Sequence, residues 1–233
     1  MQPEGMTKKH SRPGAPAPAS RRKLRNRVLD RGFFARPTRT VARELLGVCL
    51  VRREAENGRL SGLIIETEAY LGADDLASHA RHGETERNRP MWGPPGHAYV
   101  YFTYGMHWML NIVSEGDGSP GAVLIRGLLP LEGVEVMRAR RGGQALQRLT
   151  DGPAKLCQAL GIDRGLDGHD LCSPLSEIYL EQAVRVPEAH VTRGPRVGLN
   201  NVPEPWKSKA WRYLAGRQQV QDLYQRSAQH ESA

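Results

Sequence analysis

Residues 62–70 read Gly-Leu-Ile-Ile-Glu-Thr-Glu-Ala-Tyr. The first half is apolar and β-branched, the composition of a buried strand. The second half sets Glu66, Glu68 and Tyr70 at a period of two. In a continuous strand those three side chains share one face, and Leu63, Ile65, Thr67 and Ala69 share the other. Two acids and a phenol on a strand otherwise built for a core are costly to bury unless paired. The segment therefore reads in two ways. It is a strand running out into solvent with two ordinary surface acids, or a strand that carries a paired acidic site.

On its N-terminal side, Pro37-Thr38 opens a predicted helix through Leu46. Val41, Ala42, Leu45 and Leu46 recur at helical spacing, and Gly47 closes it. Residues 48–51 form a short apolar strand that leads to a turn at Asn57-Gly58. On the C-terminal side, residues 72–97 form a long connection rich in Arg, His and Trp and stiffened by Pro90, Pro94 and Pro95. A loop that long in a compact domain is functional or disordered, and this composition favours function. Residues 97–113 hold five aromatics and read as two strands joined near Tyr104-Gly105, where glycine supplies the turn. Such aromatics either stabilise a sheet as cross-strand pairs or form a platform for nucleobases.

Residues 122–129 make another apolar strand, interrupted by Arg126, and an arginine in a central strand calls for an anionic partner. Residues 131–140 are predicted helical, ended by Gly142-Gly143. A helix over 150–160 has Thr150 and Asp151 as cap candidates, Pro153 in its first turn and Gly161 after its end. Its N-terminus with Lys155 could hold a phosphate, although simple capping accounts for the same residues. Residues 178–180 and 184–186 read as short strands, 193–201 as a Gly/Asn/Pro loop, and 206–214 as a final short strand or turn. Strands outnumber helices without a βαβ rhythm, and hairpin signals dominate. The expected fold is α+β: a single domain with a curved, mostly antiparallel sheet flanked by helices, and a protruding aromatic β-hairpin. That domain is expected over residues 28–217, between a disordered basic arm (1–27) and a polar, frayed C-terminal tail (218–233).

The chain of 233 residues carries a net charge of +8, which points to a polyanionic partner. Most of that charge is local. Residues 1–27 hold eight Lys and Arg against Glu4 alone, so the remainder is close to neutral. Within it, residues 185–217 segregate seven basic side chains against Glu188 and Glu204. The arm is too rich in Pro, Ser, Gly, Lys and Arg to bury a core. It contains no apolar segment, so it is not a secretory signal, and no run is long enough to span a bilayer. A cytoplasmic location, nucleoid-associated in a bacterium, follows. Cys49, Cys157 and Cys172 are scattered and odd in number, as expected of reduced thiols. No phosphate-cradling glycine loop, nucleophile elbow or metal cluster occurs. His79 and His82 lack a third ligand nearby, so neither a metal nor a cofactor is expected.

Several separated motifs now fall into one order: Glu66-Thr67-Glu68-Ala69-Tyr70, His79, Arg87-Asn88-Arg89, Tyr99 through Met106, Asn111, Arg126, Gly152 through Leu156, and Arg196-Val197-Gly198. Together they resemble the alkyladenine (methylpurine) DNA glycosylase family, from about Leu29 to Arg217. The resemblance implies a monofunctional hydrolase of base excision repair. It would flip damaged purines out of double-stranded DNA, cleave the N-glycosidic bond and leave an abasic site. It implies Glu68 as the carboxylate that activates water, with Arg126 beside it. Tyr70 and His79 would stack on one face of the flipped base and Tyr101 on the other. Asn111 would oppose the amino group of normal guanine, and main-chain groups at His79, Val197 and Gly198 would read the base edge. Tyr104 would fill the gap left in the duplex. No lysine matches a nucleophile position. A monomer acting on DNA, without a membrane, is the expected state.

Two other classes compete. A non-catalytic nucleic-acid-binding module explains the basic arm and aromatic hairpin but leaves Glu68 beside Tyr70 unexplained, since acids repel phosphates. A carbohydrate hydrolase using Glu66 and Glu68 as its acid pair leaves the hairpin and basic loops without a role. Glu66 remains a rival to Glu68 on the strand pattern alone.

Overall fold

The computed structural model describes residues 27–116 and 118–231. All but Arg27 of the basic arm read from the sequence lies outside them. Among the described residues, five helices surround one eight-stranded sheet in which every pairing is antiparallel. The strands are β1 (Cys49–Glu54), β2 (Gly58–Tyr70), β3 (Ala98–Thr103), β4 (His107–Ser114), β5 (Gly121–Glu132), β6 (Ile178–Glu181), β7 (Val191–Gly194) and β8 (Arg212–Ala215). The main path runs β3-β4-β5-β2-β1-β6, with β8 paired to β2 and β7 paired to β8.

The strand containing residues 62–70 is the hub. Along one edge β2 pairs with β5; along the other it pairs first with β1, from Gly58 to Leu63, and then with β8, from Glu66 to Glu68. The β2–β5 register slips between Ile64 and Glu66 and again between Glu66 and Thr67. Such irregularities bend a strand and re-aim its side chains. Here they fall where the apolar half of β2 gives way to the acidic half. Gly127 is the residue opposite Glu66, and a Cβ added there would come within 3.4 Å of the Glu66 Cβ.

Helix α1 (Arg31–Phe34) is capped by Asp30, whose carboxylate accepts from the Phe33 amide. Helix α2 (Thr38–Glu44) packs across β2 and β5 and buries Thr38, Val41 and Ala42. It comes off the sheet at Gly47, where φ is +86° and a Cβ would lie 2.5 Å from the Val184 carbonyl oxygen. Only glycine fits that close approach in that conformation. Helices α3 (Val134–Arg140) and α4 (Pro153–Leu160) pack on one another, and α4 also covers β4 and β5. The main core joins Phe34, Leu45, Leu46, Leu63, Ile64, Leu110, Ile112 and Ile125, all almost fully enclosed. A second, smaller cluster of Ala80, Met91, Tyr99, Val113 and Ala122 anchors the long 72–97 connection to the sheet. That connection folds into two 3₁₀ turns, His79–His82 and Arg89–Trp92.

Three local expectations are corrected. Residues 184–186 are not a strand; the chain there is irregular, with Val184 and Val186 buried. β7 occupies the start of the stretch read as a loop from residue 193. The polar stretch at the C-terminus is not frayed: it forms α5 (Arg217–Glu231), which buries Val220 and packs Leu223 and Tyr224 against the core.

Candidate active site

The period-two pattern of β2 survives its bulges. Thr67 turns away, its hydroxyl donating to the Ala42 carbonyl oxygen at 2.7 Å, while Glu66, Glu68 and Tyr70 gather on the other face. Arg126 crosses from β5 with Nε 3.0 Å from Glu66 Oε1 and 3.3 Å from Glu68 Oε1. From β8, Arg212 Nη1 reaches the same Glu66 oxygen at 3.2 Å. The anionic partner that Arg126 demanded is thus the acidic half of β2, and the solvent-exposed alternative fails.

Glu68 is completely enclosed. Its Oε1 accepts from the Val197 amide at 2.7 Å and its Oε2 from the Tyr70 hydroxyl at 2.9 Å. Burial raises the Glu68 pKa above the ordinary carboxylate range; the Arg126 charge, the Val197 amide and the Tyr70 hydroxyl oppose that rise without cancelling it. Burial, and then the neighbouring Glu68 charge, push the Tyr70 phenol well upward. Tyr70 therefore stays protonated and donates.

Beside this cluster opens a pocket of about 370 Å³, toward the small end of the ~300–1,000 Å³ range of ligand sites. Tyr70, His79, Tyr101, Asn111, Arg126, Val197 and Gly198 all line it, and Tyr104 stands at its edge. Glu68 does not line it; the carboxylate sits behind Tyr70 and Val197, and Arg126 bridges the two regions. The His79 and Tyr101 rings meet edge-on with centroids 4.6 Å apart, and His79 Nδ1 lies 3.0 Å from the Tyr99 hydroxyl. Burial, with the Arg87 and Arg81 charges, lowers the His79 pKa to about 4. The imidazole is therefore neutral near pH 7. His79 as a whole is exposed, with its ring turned against Tyr99 and Tyr101. Burial holds the Tyr101 phenol up at about 12. Asn111 faces Tyr99 across the β3–β4 ladder and donates Nδ2 to its carbonyl oxygen at 3.2 Å.

Tyr104 and Gly105 join β3 to β4, both with positive φ (53° and 68°), and the Met106 amide closes the turn on the Thr103 carbonyl oxygen at 3.2 Å. Left-handed backbone costs a non-glycine residue about 1–2 kcal/mol. Tyr104 is nonetheless 79% exposed, with Met106 at 67% beside it. No core contact repays the strain.

One further element carries no local sequence signal. Arg196 and Asp75, each with a fully enclosed side chain, form a two-pronged ion pair at 2.5 and 2.9 Å. Arg196 stands next to Val197, whereas Asp75 lies in the long loop, 121 positions away. Lys155 pairs with Asp151 at 2.9 Å. Neither candidate cap acts at the start of α4: Thr150 donates to the Leu128 carbonyl oxygen, and Gly152 is the cap residue. Among the described residues no group of three or more His, Cys, Asp or Glu could hold a metal ion, and no helix is long and apolar enough to cross a membrane. Burial lifts the Cys49 thiol to about 11 and those of Cys157 and Cys172 to about 12, far from nucleophilic.

A sheet-borne carboxylate held by an arginine, an amide and a phenol thus stands beside an aromatic pocket and an exposed tyrosine turn. Residues 32–219 match the methylpurine-DNA glycosylase family, and the chain belongs to that family. It is 48% identical over 176 residues to a protein of Chlorobaculum parvum, covering 75% of this chain and 83% of the relative. With a Burkholderia lata protein it shares 44% identity over 209 residues, covering 88% and 97%. With one from Methanocella arvoryzae it shares 46% over 185 residues, covering 77% and 90%. All three relatives bear the name 3-methyladenine DNA glycosylase by inference.

Proposed function

We propose that this chain is a monofunctional DNA glycosylase of base excision repair that removes alkylated or otherwise damaged purines from double-stranded DNA. The observation that carries the reading is Glu68. A fully enclosed carboxylate is held by Val197, Tyr70 and Arg126, directly behind a pocket walled by aromatic rings.

A base within a duplex is out of reach of such a pocket, so the target nucleotide must first leave the stack, at a cost of a few kcal/mol. Tyr104 is shaped to offset that cost by entering the vacated space: it is exposed, aromatic and set on a tight turn. The extruded base stacks on the rings of Tyr70, His79 and Tyr101; His79 and Tyr101 meet edge-on at 4.6 Å, so they part to admit a base between them. The neutral imidazole and phenols there do not repel a positively charged purine such as 3-methyladenine, and their ring faces attract it. Asn111 lies where its amide meets the base edge, and main-chain groups at His79, Val197 and Gly198 complete the reading of that edge.

In the chemical step a water oxygen attacks C1′ as the C1′–N bond breaks, and the bonding electrons leave with the base. Positive charge grows on the sugar in the transition state, and Glu68 offsets it through a low-dielectric environment. The carboxylate also takes the proton released by the water. A purine alkylated to a cation departs as a neutral base and needs no proton, whereas a neutral lesion takes one from solvent as it leaves; the proton held on Glu68 returns to solvent after release. The products are the free base and an abasic sugar. No lysine lines the pocket among the described residues, which supports water rather than an amine as the nucleophile.

The deciding experiment is a base-release assay on a panel of duplexes, each with one lesion: 3-methyladenine, 7-methylguanine, hypoxanthine or ethenoadenine. Release by the wild type and its loss in Glu68→Gln is the expected outcome. Binding without release on every duplex would instead support a non-catalytic module.

A further inference from the structure

We propose that the buried Arg196–Asp75 pair is a positioning unit that sets the Val197 amide on Glu68 and the Tyr70 ring against the base. The inference rests on the reading of Glu68 as the water-activating base.

One guanidinium ties together four parts of the site. Arg196 Nη1 donates to Asp75 Oδ2 at 2.5 Å and to the Ala69 carbonyl oxygen at 2.9 Å; Nη2 donates to Asp75 Oδ1 at 2.9 Å. Its Cζ lies 4.6 Å from the centroid of the Tyr70 ring and 4.9 Å from that of the Trp211 ring. Asp75 in turn accepts from the Leu71 and Ala77 amides, both at 3.1 Å, which fixes the turn that leads to His79. The residue after Arg196 supplies the amide donated to Glu68. A buried ion pair is a poor stability device, because apolar residues of similar volume replace one at little or no loss. Its two-pronged geometry does fix orientation, and Tyr70 under the guanidinium and Val197 next in sequence both line the pocket.

Glu68 is faced by Glu66 and Tyr70 from its own strand, Arg126 from β5, Tyr101 from β3 and the Val197 amide from the loop. Arg212 reaches it through Glu66, and Arg196 through Tyr70. Of these, only the Val197 amide and the Tyr70 ring depend on the Arg196–Asp75 pair. Loosening the pair withdraws donors that favour the carboxylate form, so Glu68 becomes harder to ionise.

The test uses the full chain with Arg196→Lys, Asp75→Asn, and the double variant Arg196→Met/Asp75→Leu, which leaves no charge unpaired. Single-turnover release from a 7-methylguanine duplex is followed from pH 5 to 9, alongside Tm. In parallel, the Glu68 carboxyl is titrated by ¹³C NMR. Both single variants should slow release about tenfold or more, as misplacement in a site does, and should move the acid limb of the profile to higher pH. The double variant should recover Tm but not rate. An unmoved acid limb, or a double variant that restores rate along with Tm, overturns the proposal. If the single variants do not fold, the double variant decides alone. If the wild type releases no base, the glycosylase reading fails while the titration still decides. An upward shift of Glu68 in the variants upholds the positioning role, and an unchanged titration rejects it.

Discussion

Replacing Tyr104 with serine should impair base flipping while leaving the fold untouched. Tyr104 is 79% exposed at a turn with φ +53°, so its ring contributes almost nothing to the core and its backbone is strained. Serine keeps the same strain and removes only exposed surface, so Tm should stay within the small range usual for surface substitutions. If the ring takes the place of the extruded base, its loss forfeits a stacking interaction of ~1–3 kcal/mol. At 1.36 kcal/mol per factor of ten, the flipped population falls roughly fivefold to more than a hundredfold. The defect should be largest for a lesion that is stably paired. It should shrink when the same lesion sits in a mismatch or opposite a gap, where the unstacking cost is already reduced. The measurement is the mutant-to-wild-type ratio of single-turnover rates on paired and unpaired forms of one lesion. Equal ratios would show that the ring does not act through flipping. A fall in Tm would return it to the role of a cross-strand structural aromatic.

Four further outcomes are expected. Glu68→Gln should abolish release yet retain affinity for lesion or abasic DNA, whereas Glu66→Gln should keep measurable release; the opposite pattern would exchange the roles of the two acids. Since burial raises the Glu68 pKa, release should increase as pH climbs through that raised value and be weak below it, and a flat profile across the acid range would contradict the base role. The stability effect has the opposite sense: folding favours the protonated form, so that contribution is present below the unfolded-chain pKa and lost as pH rises through the folded value, a loss that Glu68→Gln should remove from a Tm-versus-pH curve. Deleting residues 1–27, which hold most of the +8 net charge, should weaken non-specific DNA binding and flatten its dependence on log salt without slowing single-turnover release, and an unchanged slope would rule out that contribution.

The strands were legible where a local pattern decided them. Residues 62–70 signalled both a core strand and a polar face, and Arg126 within an apolar run called for the anion that Glu66 and Glu68 supply. Tyr104-Gly105 marked the turn because glycine follows the aromatic. What escaped was carried by long-range contacts. No periodicity ties Asp75 to Arg196, and nothing local foretells β8 pairing with the acidic half of β2 to deliver Arg212. The 184–186 segment reads as a strand because it is apolar, yet Val184 and Val186 are buried by packing around Gly47 rather than by a ladder. The C-terminal helix was hidden by its polar composition, although Val220, Leu223 and Tyr224 stand at helical spacing and do form its inner face.

The two acids of β2 differ in what surrounds them, and under the proposed mechanism that difference gives them separate work. Arg126 lines the pocket, and alone it would oppose positive charge growing on a sugar held there. Glu66 shares that guanidinium and is itself held by Arg212, so the cluster of two acids and two arginines is neutral as a whole. Glu68 occupies its enclosed end, where the effective dielectric is lowest and each ångström of approach counts most. Glu66 is partly exposed and paired with both Arg126 and Arg212. Its place is that of a counterweight to Arg126. Glu66→Gln would leave Arg126 to bind Glu68 alone, stabilising the carboxylate form. The acid limb of release would then move to lower pH, opposite in direction to the shift expected on loosening Arg196. A shift in the same direction for both variants would mean that Arg126 does not mediate between the two acids.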